Sequence, residues 1–187
     1  MNTFEIIDSP IGGLVLIARN ESLIGLYHEY HSPEPSPVLL GLPFASGQLN
    51  LAEEMPPEGS PAVDREAAAE VYRLTSDWLQ GYFNGTVSEP VPYTLLNGTE
   101  FQRRVWKAVA DIPYGETRTY KDIAGSLDNE SMGRAVGAAV RANPLSIVIP
   151  GHRVVGAGGA ITGYAAGMAV KRALLELEAA VIAGAAA

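Results

Sequence analysis

The spacing of apolar residues changes along this chain, and that change limits the folds open to it. Residues 3–7, 13–18 and 22–28 are short apolar runs, separated by turn-forming residues at 8–12 and 19–21. Short runs divided by Gly, Pro, Asn and Asp are typical of strands joined by tight turns. The pattern predicts a small antiparallel meander at the start of the chain.

From residue 63 the apolar spacing becomes helical. Within residues 63–83, apolar side chains recur every three or four positions, at Ala67, Val71, Leu74, Trp78 and Tyr82. This predicts an amphipathic helix that ends near Asn84-Gly85, where glycine permits a left-handed backbone. Residues 32–61, which precede the helix, contain seven prolines. Because proline removes backbone donors, we expect a surface loop there and no core element.

The second half carries the signals of further helices. Thr99 is a candidate N-cap for a helix that stops before Pro113 and carries one apolar side, formed by Phe101, Val105, Trp106 and Val109. Residues 119–127 and 131–141 predict two shorter helices joined by a polar turn at 128–130. Two short helices with a tight turn between them indicate a helix-turn-helix.

The helix predicted at 131–141 has an unusual composition. It contains Gly133 and Gly137 among other small residues, although a glycine inside a helix costs roughly 1 kcal/mol relative to alanine. Two explanations stay open at this point. The small residues could let the helix backbone enter a narrow groove of another molecule, or they could form a packing face against a neighbouring helix.

The last quarter of the chain predicts three further segments. Residues 145–150 are apolar and β-branched, which favours a short strand or extended segment, and helical spacing returns from 168 to about 182. Between them lie the glycines at 156, 158 and 159. No strand-glycine-helix order and no following Lys-Ser/Thr accompanies these glycines, so the sequence argues against a nucleotide-binding loop.

Charge is divided unevenly along the chain. The net charge is −8, but residues 1–100 carry −11 and residues 101–187 carry +3. This asymmetry suggests that the second half meets a polyanion while the first faces water. The alternative is chance clustering of surface charges, and charge alone does not decide between the two.

The chain contains no cysteine. That composition excludes disulfides, thiolate metal sites and thiol nucleophiles. The sequence has no apolar run long enough to cross a bilayer, and its start lacks the features of a signal peptide. We therefore expect a soluble cytoplasmic protein with no membrane partner.

Six motifs follow one another between residues 95 and 178. They are Gly98-Thr99-Glu100-Phe101-Gln102-Arg103-Arg104-Val105-Trp106, Ile112-Pro113-Tyr114-Gly115-Glu116-Thr117, Arg134-Ala135-Val136-Gly137, Asn143-Pro144, Ile149-Pro150-x-His152-Arg153-Val154, and Gly163-Tyr164. In this order the region resembles the C-terminal domain of the O6-alkylguanine-DNA alkyltransferases. The first hundred residues resemble that family's N-terminal domain more loosely.

The resemblance places a glycine at the family's reactive position. In the family, a cysteine between the Pro and the His of the Pro-x-His-Arg-Val motif takes the alkyl group from guanine O6, and here Gly151 stands there. Without a thiol, transfer as the family performs it is impossible. The resemblance assigns His152 and Glu178 to a relay that lowers a thiol's pKa. It assigns Asn143 to the turn that leads to Gly151.

The resemblance also implies a set of DNA-binding residues. Arg134 matches an arginine that enters the base stack in place of the flipped nucleotide, and Tyr120 matches a tyrosine that crowds the phosphate 3′ to the lesion. The implied minor-groove surface consists of Met132, Gly133, Ala135, Val136, Ala138 and Ala139, with Arg141 as a further DNA contact. Without the motif, Arg134 would be taken as a solvated charge or phosphate contact and Tyr120 as a half-buried aromatic.

The pocket for the alkylguanine is implied in the same way. Tyr164 matches the residue that closes on the flipped base, and the backbone of Gly151, Val154 and Ala165 corresponds to groups that bind the guanine edge. Gly151 is expected to enlarge the pocket and admit bulkier adducts. We also expect no metal and no cofactor, because His28 and His31, the candidate ligands of an N-terminal metal, are predicted to be surface histidines without cysteines beside them.

Together these features predict an α/β protein with two domains. Residues 1–88 would form a small N-terminal domain of antiparallel sheet plus helix, ribonuclease-H-like, with the Pro-rich loop at 32–61. Residues 89–187 would form a mainly helical C-terminal domain that contains the helix-turn-helix, the DNA-binding surface and the pocket.

Two functions follow from the resemblance, and one is disfavoured. The first is a repair protein, acting as a monomer, that binds duplex DNA and flips O6-alkylguanine without transferring the alkyl group, with nucleotide-excision-repair proteins as further partners. The alternative is an inactive Cys-to-Gly variant of a suicide methyltransferase, which a complete His152 and Glu178 relay would suit. Hydrolysis by a His152-activated water is disfavoured, because an ether carbon demands a better nucleophile.

Overall fold

The computed structural model describes residues 1–44, 64–86 and 88–185. In chain order its elements are β1 Asn2–Ile7, β2 Leu14–Arg19, β3 Ser22–His28, α1 Pro37–Leu40, β4 Leu42–Pro43, α2 Arg65–Phe83, α3 Glu100–Ala110, β5 Arg118–Thr119, α4 Tyr120–Ser126, a 3-10 turn Glu130–Met132, α5 Gly133–Arg141, a 3-10 turn Gly151–Arg153, β6 Val154–Val155, a 3-10 turn Ala157–Gly159, and α6 Met168–Ala185.

The predicted antiparallel meander is confirmed. Strands β1, β2 and β3 pair in sequence, and the sheet has the order β3-β2-β1-β4. The alternation of side chains along β2 divides the sheet into two faces. Leu14, Leu16 and Ala18 join the main core, whereas Ile17 belongs to a smaller cluster on the other face. Sequence analysis missed β4, which has two residues and pairs in parallel with β1.

The predicted helix at 63–83 forms as α2, but its buried stripe differs from the expected one. Asp64 caps the helix by accepting a hydrogen bond from the Ala67 amide, and Gly85 follows its end with a φ of +79°. Its buried residues are Ala68, Val71, Tyr72, Thr75, Leu79 and Tyr82. Leu74, which belongs to the apolar side predicted from the spacing, is 37% exposed. The sheet packs against α2 along a line rotated from the one that apolar spacing suggested.

The Pro-rich segment is described only in part, because residues 45–61 of the predicted 32–61 loop lie outside the described residues. Its first part contains the short helix α1, for which Ser36 is the N-cap and Pro37 the first residue. Leu39 and Leu40 pack against the smaller apolar cluster. The expectation of a plain surface loop was therefore wrong for residues 37–43, where proline at a helix start is favourable because the missing donor is not needed there.

Helix α3 begins where the sequence predicts. Thr99 and Gln102 form a capping box, in which the side chain of each accepts a hydrogen bond from the backbone N–H of the other. Val105, Trp106 and Val109 are buried. The indole Nε1 of Trp106 donates to the carbonyl of Ala139 at 2.7 Å, which fixes α3 to α5.

The two short helices predicted after Thr119 also form, with one correction. Helix α4 runs Tyr120–Ser126, capped by Thr119. The helix predicted at 131–141 is α5 and begins at Gly133, because Asn129 caps a separate 3-10 turn over Glu130–Met132. Asp128, with a φ of +68°, reverses the chain between α4 and that turn.

Residues 145–150 form a compact turn instead of the predicted short strand or extended segment. The side chain of Asn143 accepts a hydrogen bond from the Leu145 amide at 3.0 Å and donates to the Ile149 carbonyl at 2.8 Å. The amide of Ile149 donates to the carbonyl of Leu145, and Ile147 has a φ of +69°. The backbone of this compact turn is satisfied partly by the side chain of Asn143 and partly by β3, since the Ser146 amide donates to the Leu26 carbonyl.

One hydrophobic core runs through both predicted domains. Leu14 and Leu16 of the sheet belong to the same buried cluster as Val105, Leu145 and Leu174. The division between residues 88 and 89 therefore stays a prediction. Among the described residues, no helix has the length and apolar character needed to cross a bilayer.

The capping box of α3 gives a test of the fold. Replacing Thr99 by alanine removes a side-chain acceptor from the helix start and should lower the free energy of unfolding by about 1 kcal/mol. Chemical denaturation would measure it. Thr117→Ala, at an exposed threonine outside any helix, is the control and should leave the midpoint unchanged. Equal effects of both substitutions would contradict the role of the cap.

Candidate functional site

The candidate site lies around the 3-10 turn Gly151–Arg153 and includes side chains from α2 and α6. This turn follows the compact turn held by Asn143 and leads directly into β6. Gly151, His152 and Arg153 are all buried. Helix α6 supplies Glu178 and helix α2 supplies Tyr82, so residues from distant parts of the chain are brought together here.

His152 and Glu178 form the pair that the resemblance implies. The Nε2 of His152 lies 2.7 Å from Oε1 of Glu178, and both side chains are almost wholly buried. The hydroxyl of Tyr82 donates to the same oxygen at 2.6 Å and lies 3.2 Å from the His152 Nε2. The histidine ring is therefore fixed at one nitrogen by a carboxylate and a phenol.

Arg153 and the backbone complete the surroundings of the Glu178 carboxylate. The guanidinium of Arg153 donates to both carboxylate oxygens, from Nε to Oε2 at 2.9 Å and from Nη2 to Oε1 at 2.9 Å. The amide of Gly115 donates to Oε2 at 2.9 Å. Charge-assisted hydrogen bonds of this kind are the strong ones, and a buried carboxylate needs them.

These contacts set the protonation states of the pair. Burial alone would raise the pKa of Glu178, but the hydrogen bonds from His152 and Arg153 together lower its pKa to about 2. Burial lowers the pKa of His152, against the opposing effect of Glu178. The stable state is therefore a carboxylate beside a neutral imidazole.

The neutral imidazole has one nitrogen free for chemistry. Because Nε2 donates to Glu178, the ring proton is on Nε2 and Nδ1 keeps its lone pair. Nδ1 of His152 has no hydrogen-bond partner among the described residues. A buried imidazole held in this tautomer can accept a proton from an acidic group placed beside Nδ1, as a general base does.

Gly151 leaves little space directly at its own α-carbon. A Cβ built there would lie 3.3 Å from Cγ1 of Val140 and 3.7 Å from Nδ2 of Asn143. That distance to Val140 is tight, so a side chain at 151 requires the valine to shift slightly. The expected enlargement of the pocket by Gly151 stays a prediction.

The predicted pocket residues lie around the same turn, and their backbone is already engaged. Val154 is completely buried, and its carbonyl accepts a hydrogen bond from Lys171. The carbonyl of Ala165 accepts from the Ser32 amide at 2.8 Å. The hydroxyl of Tyr164 lies 3.1 Å from Nε2 of His28, and its ring centroid lies 6.5 Å from that of His152.

Lys171 holds the loop that precedes Tyr164. Its ammonium group donates to the carbonyls of Val154 and Thr162, and the side chain is fully buried. Burial lowers the pKa of Lys171 to about 8. The hydroxyl of Tyr120 reaches the carbonyls of Thr162 and Gly163 at 3.4 Å. Two side chains thus fasten the same loop.

Helix α5 has a core face and a solvent face. Four of the predicted DNA-binding residues are exposed on it, namely Arg134, Ala135, Ala138 and Arg141, while Met132 and Gly133 next to them are half-buried. Val136 and Ala139 are buried. Their assignment to a groove-facing surface was wrong, because they form the packing face of α5.

The packing explanation for the small residues of α5 holds for its two glycines, and the groove explanation stays a prediction for its exposed alanines. A Cβ at Gly137 would lie 3.6 Å from the ring of Tyr120, and one at Gly133 would lie 4.0 Å from the Cβ of Tyr120. The glycines therefore lie against the start of α4. Ala135 and Ala138 are exposed instead, and they give the solvent face of α5 a low profile.

The prediction that His28 and His31 are surface residues was wrong. They are 4% and 3% exposed. His28 is hydrogen-bonded to Tyr164, and Nδ1 of His31 lies 2.8 Å from the carbonyl of Pro33. No group of three or more potential metal ligands occurs in the described part of the chain.

Sequence reasoning missed four residues of the site. Tyr82 and His28 come from the N-terminal half, where nothing local connects them to residue 151. Arg153 stood inside a recognised motif without an assigned role, and Lys171 was counted only as part of the last helix. A buried lysine or arginine leaves little local signal, because its partners are chosen by tertiary packing.

The Glu178 cluster gives a pH-dependent test of stability. The pKa of Glu178 is lowered from its ordinary 4.5 to about 2 in the folded protein, so its contribution is complete above pH 4.5. That contribution falls as the pH drops from 4.5 toward 2, by about 3 kcal/mol over this window. Glu178→Gln should lack this part of the acid destabilisation in urea titrations at several pH values.

The matched control for this test is Glu176→Gln. Glu176 lies on the same helix but is exposed, so its substitution should reproduce the wild-type pH dependence. A Glu178→Gln protein whose stability falls as steeply with acid as wild type would contradict the assignment.

Comparison with known proteins finds relatives over nearly the whole chain. The sequence profile of a family described as "6-O-methylguanine DNA methyltransferase, DNA binding domain" matches residues 100–180. A methylated-DNA–protein-cysteine methyltransferase of Methanosarcina barkeri is 41% identical over 175 residues, which cover 94% of this chain and 96% of the relative. The enzyme of the same name from Mycobacterium tuberculosis is 40% identical over 94% of this chain and 91% of the relative.

The fold matches a solved structure as well. The crystal structure of Mycobacterium tuberculosis OGT in complex with DNA superimposes with a TM-score of 0.75 at 38% identity, covering 96% of this chain and 94% of that one. At this identity and coverage, the chain belongs to the O6-methylguanine-DNA methyltransferase family.

Proposed function

We propose that this protein binds duplex DNA and holds an O6-alkylated guanine in a pocket beside Gly151, without taking up the alkyl group. One observation carries the proposal: His152, Glu178 and Tyr82 are assembled as an activating network, yet the 187-residue chain contains no cysteine to activate. Membership of the family supports DNA repair and DNA binding as the setting.

The DNA-binding element in this proposal is α4 followed by α5, used as a helix-turn-helix. The exposed residues of α5 carry two arginines, Arg134 and Arg141, with Ala135 and Ala138 between them. A low, positively charged surface suits the minor groove, where bulk would clash and where contacts depend little on sequence. Phosphates would bind the arginines, so affinity should fall as salt rises.

Base extrusion is assigned to Arg134 and Tyr120. Arg134 is exposed near the start of α5 and makes none of the hydrogen bonds or salt bridges found among the described residues. Its planar guanidinium can stack on bases and donate hydrogen bonds at once, which fits an arginine that fills the place of a flipped nucleotide. Tyr120 lies beside α5 and would crowd the phosphate next to the lesion.

The flipped base would then enter between Tyr164 and the Gly151–Arg153 turn. Gly151, Val154 and Ala165 would bind its edge through their backbone groups. His152 and Glu178 take no part in binding under this proposal. In a protein with a thiol at 151, Nδ1 of His152 would receive the thiol proton.

The alternative is that the chain is an inactive Cys-to-Gly variant of a suicide methyltransferase. The intact His152 and Glu178 pair suits it, because the same pair would activate a cysteine at position 151. Both proposals require the same pocket and the same DNA surface. They differ in whether binding without transfer is the protein's own activity.

Four further properties remain proposals. A protein that binds the lesion without repairing it must act through other proteins. It would either recruit excision-repair proteins to the lesion or shield the lesion from other repair proteins. The protein is proposed to act as a monomer and in the cytoplasm. The ribonuclease-H-like character of the N-terminal sheet and helix is proposed from the resemblance to the family's N-terminal domain.

Substitution of Arg134 tests extrusion. Flipping costs a few kcal/mol of lost stacking, so Arg134→Ala should weaken binding to an O6-methylguanine duplex by roughly tenfold or more while affecting an undamaged duplex less. Fluorescence anisotropy with both duplexes would measure this. Arg73→Ala, at an exposed arginine on α2, is the control and should change neither affinity. Unchanged lesion affinity in Arg134→Ala would refute the role.

Restoring a thiol tests the pocket and the relay. Gly151→Cys should accept one methyl group per chain from an O6-methylguanine duplex, detected by mass spectrometry of the intact protein. The nearby Val140 must shift slightly to admit the Cβ, so Gly151→Ala serves as the control that fills the space without a thiol and should gain no mass. Methyl transfer onto the wild-type protein would overturn the proposal.

A further inference from the structure

We propose that His28 is a positioning residue of the lesion pocket, and that its imidazole fixes the hydroxyl of Tyr164 so that the N-terminal sheet sets where the pocket closes. This inference rests on the proposed function, because only there does Tyr164 close on a flipped base. It adds a residue from β3 to a site otherwise built from the second half and α2.

The contact itself is buried and specific. His28 is the last residue of β3 and is 4% exposed. Its Nε2 lies 3.1 Å from the Tyr164 hydroxyl, and the two ring centroids are 5.6 Å apart in an edge-to-face arrangement. Burial, with smaller contributions from His31 and His152, lowers the pKa of His28 to about 4. The ring is therefore neutral near pH 7 and makes an uncharged hydrogen bond with the phenol.

Tyr164 needs such a contact because its own segment is irregular. Residues 161–164 belong to no helix or strand. The same segment meets the N-terminal half at a second point, where the Ser32 amide donates to the carbonyl of Ala165 at 2.8 Å. One contact acts on a side chain and the other on the adjacent backbone, so together they fix both the loop and the ring.

The strand that carries His28 is itself fixed to the site. The Leu26 amide donates to the Pro144 carbonyl, and the Ser146 amide donates to the Leu26 carbonyl, each at 2.8 Å. These bonds join β3 to the turn that precedes Gly151. On its other side, Tyr164 faces the ring of His152 at 6.5 Å between centroids. His28 thus sets how far Tyr164 stands from the turn that bears Gly151.

The effect on binding should be selective. A buried hydrogen bond between neutral groups contributes roughly three- to tenfold to an equilibrium constant. Loss of the His28 contact removes one restraint on the Tyr164 side chain, so the ring is less ordered before a base enters. Undamaged DNA bound through α5 does not use Tyr164, so its affinity should not change.

The experiment is a double-mutant cycle with His28→Phe and Tyr164→Phe, in which dissociation constants are measured for an O6-methylguanine duplex and an undamaged one. His28→Phe should weaken lesion binding by roughly three- to tenfold and leave the undamaged duplex unaffected. The double variant should bind the lesion no more weakly than Tyr164→Phe, because both single changes remove the same bond. His28→Gln, which keeps a polar group for the phenol, should recover most of the affinity.

The matched control is Thr3→Val. Thr3 is also 4% exposed in the same sheet, and its hydroxyl lies 2.8 Å from that of Tyr72, away from the pocket. This variant loses a similar buried bond to a tyrosine hydroxyl and should keep the wild-type lesion preference.

Several results would overturn the inference while leaving the proposed function standing. One is a wild-type lesion affinity in His28→Phe, and another is an equal loss of affinity for both duplexes in that variant. A third is a double variant whose loss of lesion affinity is the product of the two single losses, and the fourth is no recovery of affinity in His28→Gln. A wild-type protein that binds both duplexes equally would instead remove the proposed function and this role with it.

Discussion

The buried carboxylate of Glu178 is the interaction on which the rest of the site depends. A charge at this depth is stable only if donors surround it. The donors are the phenol of Tyr82 on α2, the imidazole of His152, the guanidinium of Arg153 and the amide of Gly115. Removing the carboxylate would leave Arg153 buried without its charged partner. The conformation of the Gly151–Arg153 turn and the packing of α2 and α6 against it are therefore coupled to one side chain.

The N-terminal half contributes more to the site than its sequence suggests. It supplies Tyr82 to the relay and His28 to Tyr164, and it carries the backbone amide that holds Ala165. The continuous core explains how this occurs, because β2 and α2 pack on the same apolar cluster as α3, α5 and α6. A division of labour in which one half binds DNA and the other is inert does not fit these contacts.

Helix α5 serves two surfaces at once, and its composition reflects both. Val136, Ala139 and Val140 are buried, and the glycines lie beside Tyr120, so packing accounts for one side of the helix. Arg134, Ala135, Ala138 and Arg141 are exposed, and Arg141 donates from Nε to the Ser32 carbonyl at 3.4 Å. The positive charge and low relief of this solvent face suit the DNA-binding role that is proposed for α5.

The sequence by itself determined the local structure and the family. The meander, the start of α2 and the capping box at Thr99 followed from apolar period and capping residues, and the ordered motifs identified the second half. Only the tertiary structure decided which face of α2 is buried, that residues 145–150 turn instead of extending, and that His28, Tyr82 and Lys171 lie at the site. The physical reason is the sequence separation over which each interaction acts. Apolar periods and helix caps act between residues a few positions apart. A buried polar group is instead satisfied by a distant segment that the core brings to it, as Glu178 is brought to Tyr82 from 96 positions away.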